Sequence, residues 1–351
     1  MKKAFLGLLI IILIVAGWVF KLVWDAGEFK KISPHFEGKC RQVSGVAGPE
    51  DITIHPQTGI AYISAFDRRA VLEGRSTERG IYAYDTTIEN GKPVLLTTGP
   101  GDDFMPHGIS LYISPTGDDR LFVINHSQNQ HSIEVFAIHS DKLEHLATYR
   151  DDLLISPNDI VAVGPQQFYL TNDHGLSPGI KRTLEDYLKL SYAGIVYFDG
   201  NDFSEVASGF QYANGINVSP DGMTLYMTTT IGQSLHIFDR DKESGKLKER
   251  TVLNLDSGLD NIELDEEGNL WIGAHPKLLT FVSHAGNPNK ISPSQLFRVF
   301  SNLKGNPKFE EIYLNAGEEL SASSVAAVRN NRMIVGAVFD GWFLDCTLSE
   351  N

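Results

Sequence analysis

From about residue 49 onward the apolar positions come in short runs, and six of these open on polar residues: EDITI at 50–54, HGISL at 107–111, NDIVA at 158–162, NGINV at 214–218, DNIEL at 260–264 and SSVAA at 323–327. Turn-forming residues and a second run follow each one, as in HPQTGIAYIS, SPDGMTLYMTT and DEEGNLWIGA. Two period-2 segments around Gly, Pro, Asn or Asp predict a β-hairpin. Third runs (GIYAYD, SIEVFAI, GIVYFD, SLHIFD, LFRVF) and outer runs such as LEHLATY and KLKERTVLNL bring the count to about four strands per copy. Units of four strands, about 46 to 63 residues apart, predict propeller blades, and six units predict an all-β, six-bladed β-propeller. A large β-sandwich is the rival, but it gives no reason for one motif to recur six times. The last copy lacks an outermost strand, and KCRQVSGV at 39–46 is placed to complete it.

Two stretches break the β pattern. AFLGLLIIILIVAGWVF at 4–20 carries no charge and follows Lys2 and Lys3; that is about the length of helix needed to cross a bilayer. No small-x-small cleavage site follows it, which predicts an uncleaved signal-anchor helix over 1–25 with its lysines cytoplasmic. The propeller, 26–351, then lies outside the cytoplasm at a membrane. SPGIKRTLEDYLKLSYAG at 177–194 spaces Ile180, Leu184, Tyr187, Leu188 and Leu190 as on an amphipathic helix, predicting either a lid over one face or plain packing. Cys40 and Cys346, the two cysteines, stand near the ends of the folded part. In an oxidising compartment they read as a clasp, the alternative being two unrelated buried thiols.

Composition narrows the partners. A content of 42% hydrophobic and 10% aromatic residues supports a large core, while 44 acidic against 30 basic residues give a net charge of −14. That sign excludes a protein built to grip a phosphate backbone, so no nucleic-acid partner is expected. It leaves open carboxylates gathered to hold cations.

The inner strand of every propeller blade lines the central channel, so the six polar openings converge on one ring. Their first members include Glu50, Asn158, Asn214 and Asp260 and carry charge −2; their second members include Asp51 and Asp159, again −2. Alternation along a strand should keep the two sets from reaching one point. Carboxylate and amide oxygens without cysteine suit a hard cation such as Ca²⁺, and two sets predict two ions along the axis. His107 stands at a channel-mouth position, and His126 ends the next strand of the same blade, so a hairpin can bring the imidazoles together to orient or relay a proton. The serine-hydrolase signature G-x-S-x-G is absent. The sequons NHS at 125–127 and NVS at 217–219 fall in predicted strands and read as chance.

PEDITI, PHGIS, VINH, NDIVAVGP with FYLTNDH, ANGINVSPDG, LDNIELD with LWIGAHP, and the two terminal cysteines together resemble the paraoxonase and arylesterase family of calcium-dependent six-bladed propellers, over roughly Cys40 to Cys346. The resemblance implies that Glu50, Asn158, Asn214, Asp260 and Asn261 bind a catalytic calcium. It implies that Asp51, Asp159 and the Ile109 carbonyl bind a structural one, and that His107 and His126 form a proton-relay dyad. Asp173, His174 and His275 match family positions near these sites. The expected activity is hydrolysis of lactones, with aryl-ester or organophosphate hydrolysis as the alternative within the enzyme class and a non-enzymatic, calcium-stabilised binding propeller as the alternative outside it. DRRAVLEGRSTERG at 67–80, Tyr212 and VFDGWF at 338–343 depart from the family pattern and bear on the substrate pockets.

Overall fold

In a computed structural model describing residues 2–101, 103–127, 130–301 and 307–349, each repeat folds as a four-stranded antiparallel sheet, and six sheets form the ring. The inner strands of blades 1 to 6 are Pro49–Ile54, Pro106–Tyr112, Pro157–Ala162, Ala213–Val218, Gly258–Leu264 and Ser323–Arg329. All six recurrent polar openings therefore lie on inner strands. Burial follows position in the blade: the inner strand of blade 3 is buried over nearly its whole length, whereas the outer strand of blade 4, Leu247–Asn254, is mostly exposed. Strands covered on both faces need continuous apolar runs and half-covered ones need alternation, which is the gradient the sequence shows.

Apolar clusters between neighbouring blades make the core. Blades 3 and 4 share Val161, Tyr169, Ile195, Ile216, Leu225 and Met227; blades 6 and 1 share Val325, Phe343, Ile52, Ile63 and Tyr84. Ring closure uses the expected strand: Gly38–Ser44 pairs with Trp342–Leu348 as the outermost strand of blade 6, with Cys40 opposite Cys346. The two cysteines are disulfide-bonded across a separation of 306 residues. Beside them the buried Asp345 accepts from Arg41, Arg332 and Tyr84, so the closure carries an ionic knot as well. Reducing the bond should lower unfolding free energy by roughly 5–6 kcal/mol, the chain-entropy value for so long a loop. Chemical denaturation with and without reductant measures it.

Every inner strand shifts register within a residue or two of its polar residues: between Pro49 and Asp51, Pro106 and Ile109, Pro157 and Ile160, Ala213 and Ile216, Leu259 and Ile262, and Ser323 and Val325. A bulge breaks strict alternation and re-aims side chains. At these six bulges strict alternation no longer decides which way each member of a pair points. Two of the second members are glycines, and crowding at the axis explains them. A Cβ on Gly108 would stand 2.6 Å from the Asn158 carbonyl oxygen and the Asp159 Cα, and one on Gly215 would stand 2.5 Å from the Asp260 carbonyl oxygen.

Helix α1 (Lys2–Asp25) contains a span, Phe5–Asp25, of mean hydropathy 2.7 and 21 residues, none of it buried, long and apolar enough to cross a membrane. Short helices interrupt the propeller at α2 (Arg68–Leu72), α3 (Ile180–Tyr187) and α4 (Leu278–Ala285). In the 177–194 segment Ile180, Leu184, Tyr187 and Leu188 are exposed, while Glu185 is buried and accepts from the Gly175 N–H, so the helix meets the propeller through polar contacts. Both sequon asparagines use their amides inside the fold, Asn125 toward Ser132 and Asn217 toward the Ile262 carbonyl.

Candidate active site

Asp51 and Asp159 tie the inner strands together at the axis. Each accepts from the backbone of its own strand, and each also accepts at 2.7 Å from the inner strand of the following blade, Asp51 from Ile109 N–H and Asp159 from Ile216 N–H. Ile109 thus meets Asp51 through its N–H. Among the described residues no cation pairs with either aspartate. Burial pushes both carboxyls well above the usual range, and nearby carboxylates add to it, Glu50 acting on Asp51 and Asp51 on Asp159.

The other set meets above them. Asn261 Nδ2 donates to Glu50 Oε1 at 2.9 Å, Asn214 Nδ2 to Thr230 Oγ1 at 3.0 Å and Asn158 Nδ2 to Asp173 Oδ2 at 3.4 Å. With the Asn158 and Asn214 amide nitrogens engaged by the wall and that of Asn261 by Glu50, Glu50 Oε2 and the Oδ1 atoms of Asn158, Asn214 and Asn261 remain buried with no hydrogen-bond partner. A desolvated oxygen left unpaired costs on the order of 1–3 kcal/mol, and three unpaired amide oxygens beside a carboxylate held only by long ionic contacts call for a common partner. The donor chemistry fits a hard cation: oxygens only, two carboxylates (Glu50 and Asp260) and neutral amides. Among the described residues no three His, Cys, Asp or Glu side chains form a ligand cluster, because asparagines supply most of these oxygens.

Asp260 Oδ2 lies 2.8 Å from His275 Nε2, and the His275 ring stacks on Phe281 of α4 at 4.1 Å. Burial raises the Asp260 carboxyl, partly offset by His275. Glu50 is also buried, but His107, Arg68 and the Asn261 amide outweigh that and hold it at about 2. His107 Nδ1 is 2.8 Å from His126 Nε2, while its Nε2 is 3.5 Å from Glu50 Oε2. Behind Asn158, His174 bridges Asp173 of the propeller and Asp186 of α3 at 2.6 and 2.8 Å. Burial lowers His174, but the two carboxylates dominate and bring it to about 9.

A cavity of about 500 Å³ opens over the ring, with Glu50, His107, Asn158, Asn214, Asp260 and His275 on its polar side and Ile231, Leu278, Leu279, Phe281, Val282 and Val338 among its apolar walls. Tyr212, at φ 63°, also lines it and meets the His174 ring edge-on. Leu22, Asp25 and Ala26 complete the rim, so the end of α1 is part of the cavity. It is fixed there by Lys189, 2.8 Å from Asp25, and by Glu28, whose carboxylate accepts from the Leu279 and Thr280 N–H groups. Lys277, which precedes α4, offers no side-chain cap, so Glu28 serves as its N-cap from another part of the chain.

Three participants escaped the sequence reading. Arg68 of the charged 67–80 segment stands 3.6 Å from Glu50 Oε2; its charge was visible, its direction was not. The rim role of residues 22–28 had no signal. His131 lies with its Nδ1 3.1 Å from His126 Nδ1, extending the histidine pair to three; only the spacing in NHSQNQH hinted at it.

Fold and site together define a six-bladed propeller with an oxygen-lined axial site beneath an apolar cavity. The arylesterase family model matches residues 32–348, and the chain belongs to that family. Human serum paraoxonase/arylesterase 2 is 35% identical over 312 residues, covering 86% of each chain, and rat serum paraoxonase/arylesterase 1 is 33% identical over 324 residues, covering 89% of each. Among solved structures a putative gluconolactonase superposes with a TM-score of 0.54 at 14% identity over 92% of this chain and 98% of its own, and a calcium-binding regucalcin from Agrobacterium tumefaciens with 0.52 at 15% over 90% and 96%. Both likenesses concern the fold.

Proposed function

We propose that this chain is a calcium-dependent hydrolase of lactones and related esters. The observation that carries it is the set of buried amide oxygens of Asn158, Asn214 and Asn261 without a hydrogen-bond partner, together with Glu50 Oε2, which has only long ionic contacts with His107 and Arg68, beneath an apolar cavity. Glu50, Asn158, Asn214, Asp260 and Asn261 would hold one ion; Asp51, Asp159 and the carbonyl of Ile109 would hold a second, structural one. Calcium bound at the first set supplies a Lewis acid that polarises an ester carbonyl and offsets the charge growing on its oxygen. His107 takes a proton from the attacking water at Nε2 and returns it to the leaving oxygen as the ring opens. His126 holds the opposite nitrogen of that ring. The apolar walls seat the hydrocarbon part of an uncharged ester and exclude bulk water. No acyl-enzyme forms on this route.

The His107→Gln enzyme should lose about a hundredfold or more in kcat with KM little changed, the usual contribution of a positioned base. Normal lactone turnover by that variant assigns the base elsewhere. A matched panel of a lactone, an aryl ester and a phosphotriester tests the substrate class through relative kcat/KM. Highest values on the lactone support the reading. Dominance of the aryl ester, the activity named in the curated relatives, or of the phosphotriester replaces it, and no turnover at all would leave a binding propeller. Residues 1–25 act in this reading as a membrane anchor, with the propeller of 26–351 on the outer side. The Lys189–Asp25 pair and the exposed apolar residues of α3 support a reading in which the cavity rim lies beside that anchor.

A further inference from the structure

We infer that His131 is a positioning residue for the reaction, fixing which nitrogen of His126 carries its proton and through it leaving the cavity-side nitrogen of His107 free to act as a base. This rests on the reading of His107 as that base. The contacts form one line: His107 Nδ1 to His126 Nε2 at 2.8 Å, then His126 Nδ1 to His131 Nδ1 at 3.1 Å. The rings meet edge-on at both joints, with centroids 4.8 Å apart and interplanar angles of 65° and 88°.

A neutral imidazole has one N–H donor and one acceptor nitrogen, so in a chain of neutral imidazoles the donors must all point the same way. His126 is held neutral: burial first, then the neighbouring His107 and His131 rings, push it well below the usual histidine range. His131 is lowered as well, by burial and by Arg182 of α3, against which Asp173 acts in the opposite sense. Two arrangements remain. If protons run from His107 toward His131, His107 carries its proton on Nδ1 and its Nε2 lone pair faces the cavity beside Glu50 Oε2 at 3.5 Å, a carboxylate that by itself favours an N–H there and so makes the pull from His131 necessary. If they run the other way, His107 Nε2 carries the proton and cannot accept one from water. Only the first is productive, and it needs an acceptor opposite His126 Nδ1. His131 Nδ1 is that acceptor, half-buried at the end of the line. Without it His126 Nδ1–H loses its partner, and the reverse arrangement, which keeps the His107–His126 bond, becomes competitive.

His131→Asn and His131→Ala separate this role from packing. Asn places an Oδ1 acceptor near the position of Nδ1 but cannot take up a proton; Ala removes both. In the full-length protein His131→Ala should lower lactone kcat about tenfold or more, a modest case of the loss a wrong histidine tautomer causes. KM should stay within about twofold and the thermal midpoint within a few degrees of the parent. His131→Asn should recover most of that kcat. Nitrogen-15 spectra of histidine-labelled protein should place the His126 proton on Nδ1 in the parent and in His131→Asn, and show it shifting toward Nε2 in His131→Ala. Unchanged kcat in His131→Ala, equal losses in the two variants, a loss confined to KM or matched by lost stability, or a His126 proton unmoved by His131→Ala overturns the inference. His107→Gln distinguishes that failure from the failure of the underlying reading: normal turnover there removes the base itself, whereas a large loss there beside a silent His131→Ala removes only the positioning role.

Discussion

Replacing Asn158 with Ala should abolish most hydrolysis, with kcat/KM falling at least about a hundredfold, while the propeller stays folded. The asymmetry follows from what the side chain does. Asn158 is buried, yet its one hydrogen bond is the long contact from Nδ2 to Asp173 Oδ2 at 3.4 Å, and its Oδ1 has no partner. Truncation removes little internal bonding, so stability should change by only about 1 kcal/mol. It also removes one neutral oxygen from a ring whose two carboxylates leave no spare donor, which weakens the electrostatic stabilisation that usually dominates such catalysis. Kinetics on a chromogenic lactone and a thermal melt of the same sample measure both halves. Full activity in a folded variant would reject the assignment.

Stripping calcium with a chelator should lower the thermal midpoint on the order of 10 °C and eliminate turnover, both restored when calcium is returned. Asp51 and Asp159 are buried, each accepts two backbone N–H groups, and no side-chain cation neutralises either among the described residues. A ligand bound only by the folded state at about a thousand times its Kd adds roughly 4 kcal/mol, which for a chain of this size corresponds to several degrees or more. The sign with pH follows from the direction of the shifts. Without the ion, burial and neighbouring carboxylates raise Asp51 and Asp159, so the folded state binds protons more tightly than the unfolded one. Their ionisation then destabilises the fold as pH climbs above the ordinary carboxylate value. The gap in midpoint between loaded and stripped protein should therefore shrink from pH 8 to pH 5. A gap that is constant, or that widens toward acid, would separate these aspartates from ion binding.

How much of this was legible in the chain depended on whether a feature repeats. The blade pattern and the polar openings recur six times, so their common geometry could be read without knowing any single strand's neighbours. The bulges recur too, but a register shift leaves no mark in a run such as NDIVA, so alternation alone could not say how far apart neighbours such as Asp260 and Asn261 would point. The 180–190 segment was read as a helix, which it is, but its mode of contact was not legible. Its apolar spacing is real, but the face that meets the propeller is the one carrying Glu185, which the Gly175 N–H holds, while Asp186 binds His174. A helix packed through polar contacts cannot be told from one packed through apolar contacts by periodicity. Arg68 and His131 sit in connections between strands, where direction is set by backbone turns that residue type does not determine.

A crystal grown in millimolar calcium addresses the axial ring most directly. Two ions are expected on the propeller axis, one within ~2.3–2.6 Å of oxygens from Glu50, Asn158, Asn214, Asp260 and Asn261, the other against Asp51 and Asp159. An axis holding only water, or calcium bound elsewhere with those oxygens unengaged, would contradict it.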